Sequence, residues 1–254
     1  MIDSQFLYED NHLLALNKNS GQLVQADKSG DACLLDMVRA HIKARDGKPG
    51  RVFIGLPHRL DRSTSGVILL AKTTKALGRL SASFRERNCR KLYWAITEDA
   101  PREPAGELVH WLKKDEQSNI ARITKAGSPG AKEARLRYRL LGASKCYFLV
   151  EIELLSGRHH QIRAQMAAIA CPVRGDIKYG AKRSKPGGGI CLHACLIEIP
   201  HPTRIEALNI IAPLPNEPLW NAFTEFFPQS PRRRPSGNSG GKSIAACTWS
   251  MGGA

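Results

Sequence analysis

Pro57-His58-Arg59-Leu60-Asp61-Arg62-Ser63-Thr64-Ser65-Gly66, followed by the unbroken apolar run Val67 to Ala71, is the stretch around which this chain of 254 residues is organised. The run has no polar alternation, so it reads as a strand buried on both faces. Just ahead of it a carboxylate, Asp61, stands between two arginines, an arrangement that suits a reactive group. Asp followed by Ser, Thr, Ser and Gly is also ordinary turn chemistry. The Asp side chain can accept from backbone N–H groups two residues on, and Gly66 can take positive φ. A second stretch, Leu154 to Arg163, separates the two readings, and the rest of the chain gives its setting.

The length allows one large mixed domain or two small ones, and 42% hydrophobic residues are enough for a real core. No segment is long and apolar enough for a transmembrane helix. The start carries Asp3, Glu9 and Asp10 and does not read as a secretory signal. Net charge is +15, and the stretch 229–254 supplies only Arg232, Arg233, Arg234 and Lys242 of it, so the excess belongs to the body. An excess of that size points to a polyanionic partner, nucleic acid first, although charge can also serve solubility alone. The seven cysteines, Cys33, Cys89, Cys146, Cys171, Cys191, Cys195 and Cys247, form no paired framework, which fits a reducing cytoplasm. Cys191-x-His193-x-Cys195 lies on an expected strand and has no second ligand pair at finger spacing, so no metal is assigned.

Periodicity predicts an α+β fold, a mixed and largely antiparallel sheet with flanking helices. Two short strands fall before Asn19-Ser20-Gly21, and Asp31 is a plausible N-cap for a helix to Arg45 with Leu34, Leu35, Val38 and Ile42 inward. Thr73 or Thr74 can cap the next helix, whose exterior carries Arg79, Arg85 and Arg87. Lys91 to Thr97 alternates as a strand, with Tyr93 on the face opposite Leu92, Trp94 and Ile96. Gly106 to Leu112, Ile120 to Thr124, Ala134 to Leu141, Cys146 to Leu155 and Ile190 to Ile199 follow as strands. Arg135, Arg137 and Arg139 make one polar face, open either to phosphate or to water. Arg158 to Ala170 reads as a helix, and Pro218 starts a last one with Leu219, Phe223 and Phe226 inward. Residues 182–189 are basic and glycine-rich, without P-loop order. The expected division is a catalytic domain over 1–228 and a disordered basic tail over 229–254, rich in Ser, Gly and Pro.

Leu154-Leu155-Ser156-Gly157-Arg158-His159-His160-Gln161-Ile162-Arg163 crowds cations and polar groups into what reads as a first helical turn. The helix dipole disfavours cations there, so they suit a fixed anion, unless they simply point into water. In order along the chain stand HRLDxxTSG (58–66), KxYxA (Lys91, Tyr93, Ala95), GRxHQIR and GDxxYG (175–180). Together with Tyr8-Glu9-Asp10, Leu13-Leu14 and Asn17-Lys18, they resemble the RluA family of pseudouridine synthases over roughly residues 6 to 227. Ser156 stands where that family commonly has Thr, and a small N-terminal RNA-binding domain found in some members has no counterpart, so the chain resembles a stand-alone catalytic domain.

The resemblance implies an isomerase with a basic RNA-binding cleft that converts uridine to pseudouridine in ribosomal or transfer RNA, without cofactor or metal, in the cytoplasm and as a monomer. It sets Asp61 as the catalytic aspartate, Arg163 as the arginine that pairs with it, and Tyr93 as the aromatic that stacks on the target base and assists proton removal. Arg59 matches the arginine implicated in displacing the target nucleotide. Arg62, Arg158, His160 and Gln161 complete the expected substrate-binding set. The rival class is a non-catalytic RNA-binding or ribosome-assembly protein of the same fold. Asp61, Tyr93 and Arg163 together favour the enzyme, because phosphate binding needs no carboxylate. An aspartyl-phosphate phosphatase fits poorly, since no second Asp lies two residues after Asp61.

Overall fold

Ser65–Ala71 is buried at every residue and forms a strand near the middle of the sheet. The computed structural model describes residues 2–227, so the expected tail and its boundary lie outside the described residues. The strands are β1 (Phe6–Glu9), β2 (Leu13–Lys18), β3 (Ser65–Ala71), β4 (Arg90–Thr97), β5 (Ala105–Asp115), β6 (Ile120–Thr124), β7 (Lys132–Ala143), β8 (Phe148–Leu154), β9 (Leu192–Pro200) and β10 (Ala207–Ile211). They form one sheet in the order β1-β2-β3-β9-β4-β8-β7-β5-β6, with β10 also on β9. Every pairing is antiparallel except β3 with β9, which run parallel over Ser65–Gly66 and His193–Ala194. The sheet is thus mixed and largely antiparallel, as its alternation predicts.

Helices α1 (Leu34–Arg45) and α2 (Thr74–Arg85) flank the β3 half, and α3 (Gln161–Ala168) packs on β5 and β6. Thr73 caps α2 by accepting from the Ala76 N–H at 3.1 Å. Asp31 does not cap α1: Cys33 occupies that position without a side-chain cap, and Asp31 pairs instead with Arg62 at 2.8 Å. The expected helix from Arg158 begins three residues later, because His160 takes a left-handed backbone with φ 48° and breaks the helical path. Arg158 to His160 are therefore a loop, and the dipole argument for their cations does not apply. The last helix is short, α4 (Pro218–Asn221), followed by a 3-10 turn, and its most buried anchor is Trp220 rather than Leu219.

The arginine row on β7 faces carboxylates. Arg135 and Arg137 pair with Glu107 of β5, and Arg139 pairs with Glu151 of β8. Cross-strand pairs of opposite charge are what a solvated sheet face prefers. Cys191, His193 and Cys195 are buried, and both ring nitrogens of His193 have protein partners, Ser65 Oγ at 2.9 Å and the Ala212 carbonyl at 3.3 Å. No described helix is long and apolar enough to cross a membrane.

Gly66 is where two chains come closest. Its φ is +113°, and a Cβ there would collide with the backbone of Ala194. Only glycine allows β9 to lie against β3 directly after the Asp61 loop. Gly66→Ala is expected to destabilise by about 3 kcal/mol or more, measured by denaturant unfolding, since both backbone strain and overpacking act. A variant within about 0.5 kcal/mol of the wild type would show that the β3–β9 contact yields easily.

Candidate active site

Asp61 sits in the loop that enters β3, and that loop is held by its carbonyls. Lys18, the last residue of β2, is fully buried, and its ammonium donates to the carbonyls of Asn19 and Gln22 at 2.9 Å and of Arg62 at 3.1 Å. Burial pulls its pKa down to about 7, partly countered by the nearby Asp61 charge. Gly21 N–H also donates to the Arg62 carbonyl, and Ser20 Oγ and the Ile190 N–H to that of Ser63. His58 braces the other side: its Nε2 accepts from the Leu69 N–H at 2.9 Å and its ring stacks on Phe84. Burial lowers the His58 pKa to about 3, so it stays a neutral acceptor.

The loop opens into a cleft of about 1130 Å³. Arg59, Asp61, Arg62, Tyr93, Arg158, His160, Gln161 and Arg163 all line it, so residues from three separated motifs meet at one place. The lining carries nine arginines and lysines against Asp27 and Asp61. Asp61 keeps 29% of its side-chain exposure because it looks into the cleft, yet protein surrounds it on the other sides. Burial pushes its pKa up, opposed by Arg163, His159 and Lys18.

Arg163 is the pivot. Its Nε and Nη2 donate to the two oxygens of Asp176 at 2.6 and 2.8 Å, both side chains being almost wholly buried. Its remaining Nη1 lies 3.8 Å from Asp61 Oδ2. The close partner of Arg163 is thus Asp176, a residue to which sequence reasoning gave no role, and Asp61 is a looser second one. The guanidinium also lies over the Tyr179 ring, 4.9 Å from its centroid. Asp176 and Tyr179 belong to the GDxxYG stretch, which was the available signal.

Tyr179 links the remaining groups. Its hydroxyl oxygen accepts from the Ala121 N–H at 2.7 Å and lies 3.0 Å from His160 Nδ1. The other ring nitrogen, His160 Nε2, lies 3.8 Å from Asp61 Oδ2. Burial and the charge of Arg163 lower the His160 pKa to about 2, so this imidazole is neutral. His159 stacks on His160 with centroids 3.8 Å apart, and its Nε2 is buried without a hydrogen-bond partner.

Tyr93 is 8% exposed, and burial with the Asp61 charge raises its pKa, so it stands as a neutral phenol. Gln161 lines the cleft and is tied into the protein through both ends of its amide. Its oxygen accepts from Ser156 Oγ and the Arg158 N–H, and its nitrogen donates to the Arg135 carbonyl, so it braces the loop. Arg158 donates through Nε to the Glu133 carbonyl, and Arg62 is shared between the Gly21 carbonyl and Asp31.

Asp61, His159 and His160 each bring one ligand-type atom within 4.8 Å of the others. The two imidazole planes, however, are inclined by only 22° at 3.8 Å, so their lone pairs run nearly side by side. A shared metal would require one ring to turn.

The sequence pattern of the family described as RNA pseudouridylate synthase matches residues 12–168. The ribosomal large subunit pseudouridine synthase C of Vibrio parahaemolyticus is 31% identical over 219 residues, 84% of this chain and 66% of that protein. The protein YhcT of Bacillus subtilis, described as an uncharacterized RNA pseudouridine synthase, is 32% identical over 87% of this chain and 72% of its own length. The chain spans just under two thirds of the length of the Vibrio relatives that it matches. Human RNA pseudouridylate synthase domain containing 4 superposes with a TM-score of 0.71 at 26% identity, over 85% of this chain and 90% of that one. With the fold, the ordered motifs and these likenesses in agreement, the chain belongs to the RNA pseudouridylate synthase family.

Proposed function

We propose that this protein isomerises specific uridines of structured RNA, ribosomal or transfer, to pseudouridine, with Asp61 as nucleophile and no metal or cofactor. The observation that carries the reading is the meeting of Asp61, Arg163 and Tyr93 in one cleft from three distant motifs. The cationic lining suits the phosphates of RNA. The target uridine has to leave its stack to reach a carboxylate at the cleft floor, and Tyr93 offers a face for the displaced base, at roughly 1–3 kcal/mol. Arg59, in the cleft beside Asp61, fills the gap or steers the nucleotide out. The six described cysteines are unpaired, which suits work in the cytoplasm, and the site is complete within one chain, which suits a monomer.

The reaction breaks the bond between the ribose and uracil N1, turns the base, and joins C5 to the ribose. N1 gains a proton and C5 loses one, so neither oxidant nor reductant enters. The Asp61 carboxylate adds to the nucleoside and leaves again in the second half. It must be ionised, and Arg163, with His159 and Lys18 nearby, opposes the effect of burial. Tyr93, a neutral phenol, serves as the stacking surface rather than as a resting base.

Three outcomes test this. Asp61→Asn lowers release of tritium from uracil C5 by at least about a thousandfold while RNA affinity stays within about tenfold. No release by the wild type from either RNA class, with tight binding, would favour a non-catalytic RNA-binding protein. Because burial raises the folded pKa of Asp61 above its unfolded value, holding it ionised costs stability, a cost that builds as pH rises from the unfolded to the folded pKa and is full above the latter. Asp61→Asn therefore melts above the wild type at neutral pH, and the gain shrinks as the pH is lowered through that raised pKa; a lower melting temperature at neutral pH would sink the argument. Arg163→Ala leaves Asp176 buried without its partner and costs about 3–5 kcal/mol in urea unfolding. A loss below about 1 kcal/mol would show that the pair contributes little.

A further inference from the structure

The cleft continues past Tyr93. A second depression of about 480 Å³ adjoins it, and Arg87, Lys91 and Leu154 line both. The other cations of the second depression are already matched: Arg90 to Glu153 and Glu198, Arg135 and Arg137 to Glu107. Among the described residues, Arg87 and Lys91 have neither an ion pair nor a hydrogen bond through their side chains. Only the two cations at the junction are left open.

Lys91 is the more demanding of the two. Burial disfavours its charge, Arg87 adds to the cost, and the only charge-type neighbour in its favour is the Cys89 thiol. Its Nζ lies beside Gly157, 3.9 Å from where a Cβ at that position would stand. An ammonium drawn out of water without a partner is unfavourable, and an arriving anion relieves that cost. Lys91 stands two residues before Tyr93 on β4, so the two share a face about 7 Å apart. Arg87, across the mouth, is held with φ at 61°, a backbone that arginine seldom adopts.

We infer that Lys91, with Arg87, is a phosphate-binding subsite for the RNA strand beside the displaced uridine, and that the second depression receives the adjoining unpaired nucleotide. The inference rests on the reading that the Asp61 cleft takes RNA. A base stacked on Tyr93 leaves its neighbouring phosphodiester at the Lys91 ammonium, and the strand then runs between the two depressions instead of back over the Asp61 loop.

The test is fluorescence anisotropy with a labelled oligouridylate about twelve nucleotides long, titrated across a potassium chloride series. Lys91→Gln and Arg87→Gln should each weaken binding about 3- to 10-fold and reduce the slope of log affinity against log salt by about 0.7, the value for one phosphate contact on a single strand. Arg139→Gln, whose side chain is tied to Glu151 outside both depressions, should leave the slope unchanged. Lys91→Gln should also melt at or above the wild-type temperature, since it removes an unpaired cation. Wild-type affinity and slope in Lys91→Gln overturn the proposal, whatever its melting temperature; a melting loss with an unchanged slope identifies a structural lysine. Tritium release from ribosomal and transfer RNA separates this from the wider reading. Lys91-dependent binding by a protein that never releases tritium leaves the subsite standing and removes the synthase. Release with a salt slope indifferent to Lys91 does the reverse.

Discussion

The site depends on one guanidinium serving two carboxylates unequally. Asp176 takes the Nε and Nη2 of Arg163 in a buried, two-pronged pair, and Asp61 receives only Nη1 at 3.8 Å. A tight pair between Arg163 and Asp61 would occupy the lone pairs that Asp61 needs in its proposed role as nucleophile. A free Arg163 would leave a buried carboxylate to take up a proton. Fixing the arginine through another acid holds positive charge near Asp61 without covering it. Tyr179 under the guanidinium and His160 on the Tyr179 hydroxyl extend the same frame, so Asp176, Arg163, Tyr179 and His160 work as one scaffold.

Around that scaffold most ionisable groups are kept neutral. His58 and His160 are pulled well below the usual imidazole range by burial, and Tyr93 is pushed above the usual phenol range. Beside the Asp61 carboxylate stand Arg163, itself paired with Asp176, and Lys18, whose pKa burial draws down to about 7. Lys18 gathers three backbone carbonyls and so shapes the loop, while its charge and that of Asp61 support each other.

Much of this was legible in the sequence, for physical reasons that differ by element. The strands announced themselves by alternation, as in Ala134 to Leu141, or by an unbroken apolar run, as in β3. Asp61, Tyr93 and Arg163 were found by motif order, and the fold brings them to one cleft. The start of α3 was misplaced because a left-handed residue, His160, is invisible to periodicity. Asp31 looked like a cap because composition cannot tell a cap from an ion-pair partner of Arg62. The arginine row could not be resolved either, since its neutralising Glu107 comes from another strand whose register the sequence does not show. The role of Asp176 was hidden for the same reason: a carboxylate thirteen residues from its arginine gives no periodic signal.

The place of β9 in the sheet has a consequence for how the molecule comes into being. β9 is the ninth strand in the chain, yet it lies between β3 and β4. The part carrying Asp61 and the part carrying Tyr93 and Arg163 are therefore separate edges until residues near 200 arrive to join them. All three candidate site residues, Asp61, Tyr93 and Arg163, precede the strand that unites them in the chain, and long-range pairing of this kind is slow to form. Until then the edges of β3 and β4 lack the strand that pairs with both, and the candidate site is not assembled. The same insertion that places the carboxylate opposite the tyrosine thus defers activity to nearly the last strand synthesised.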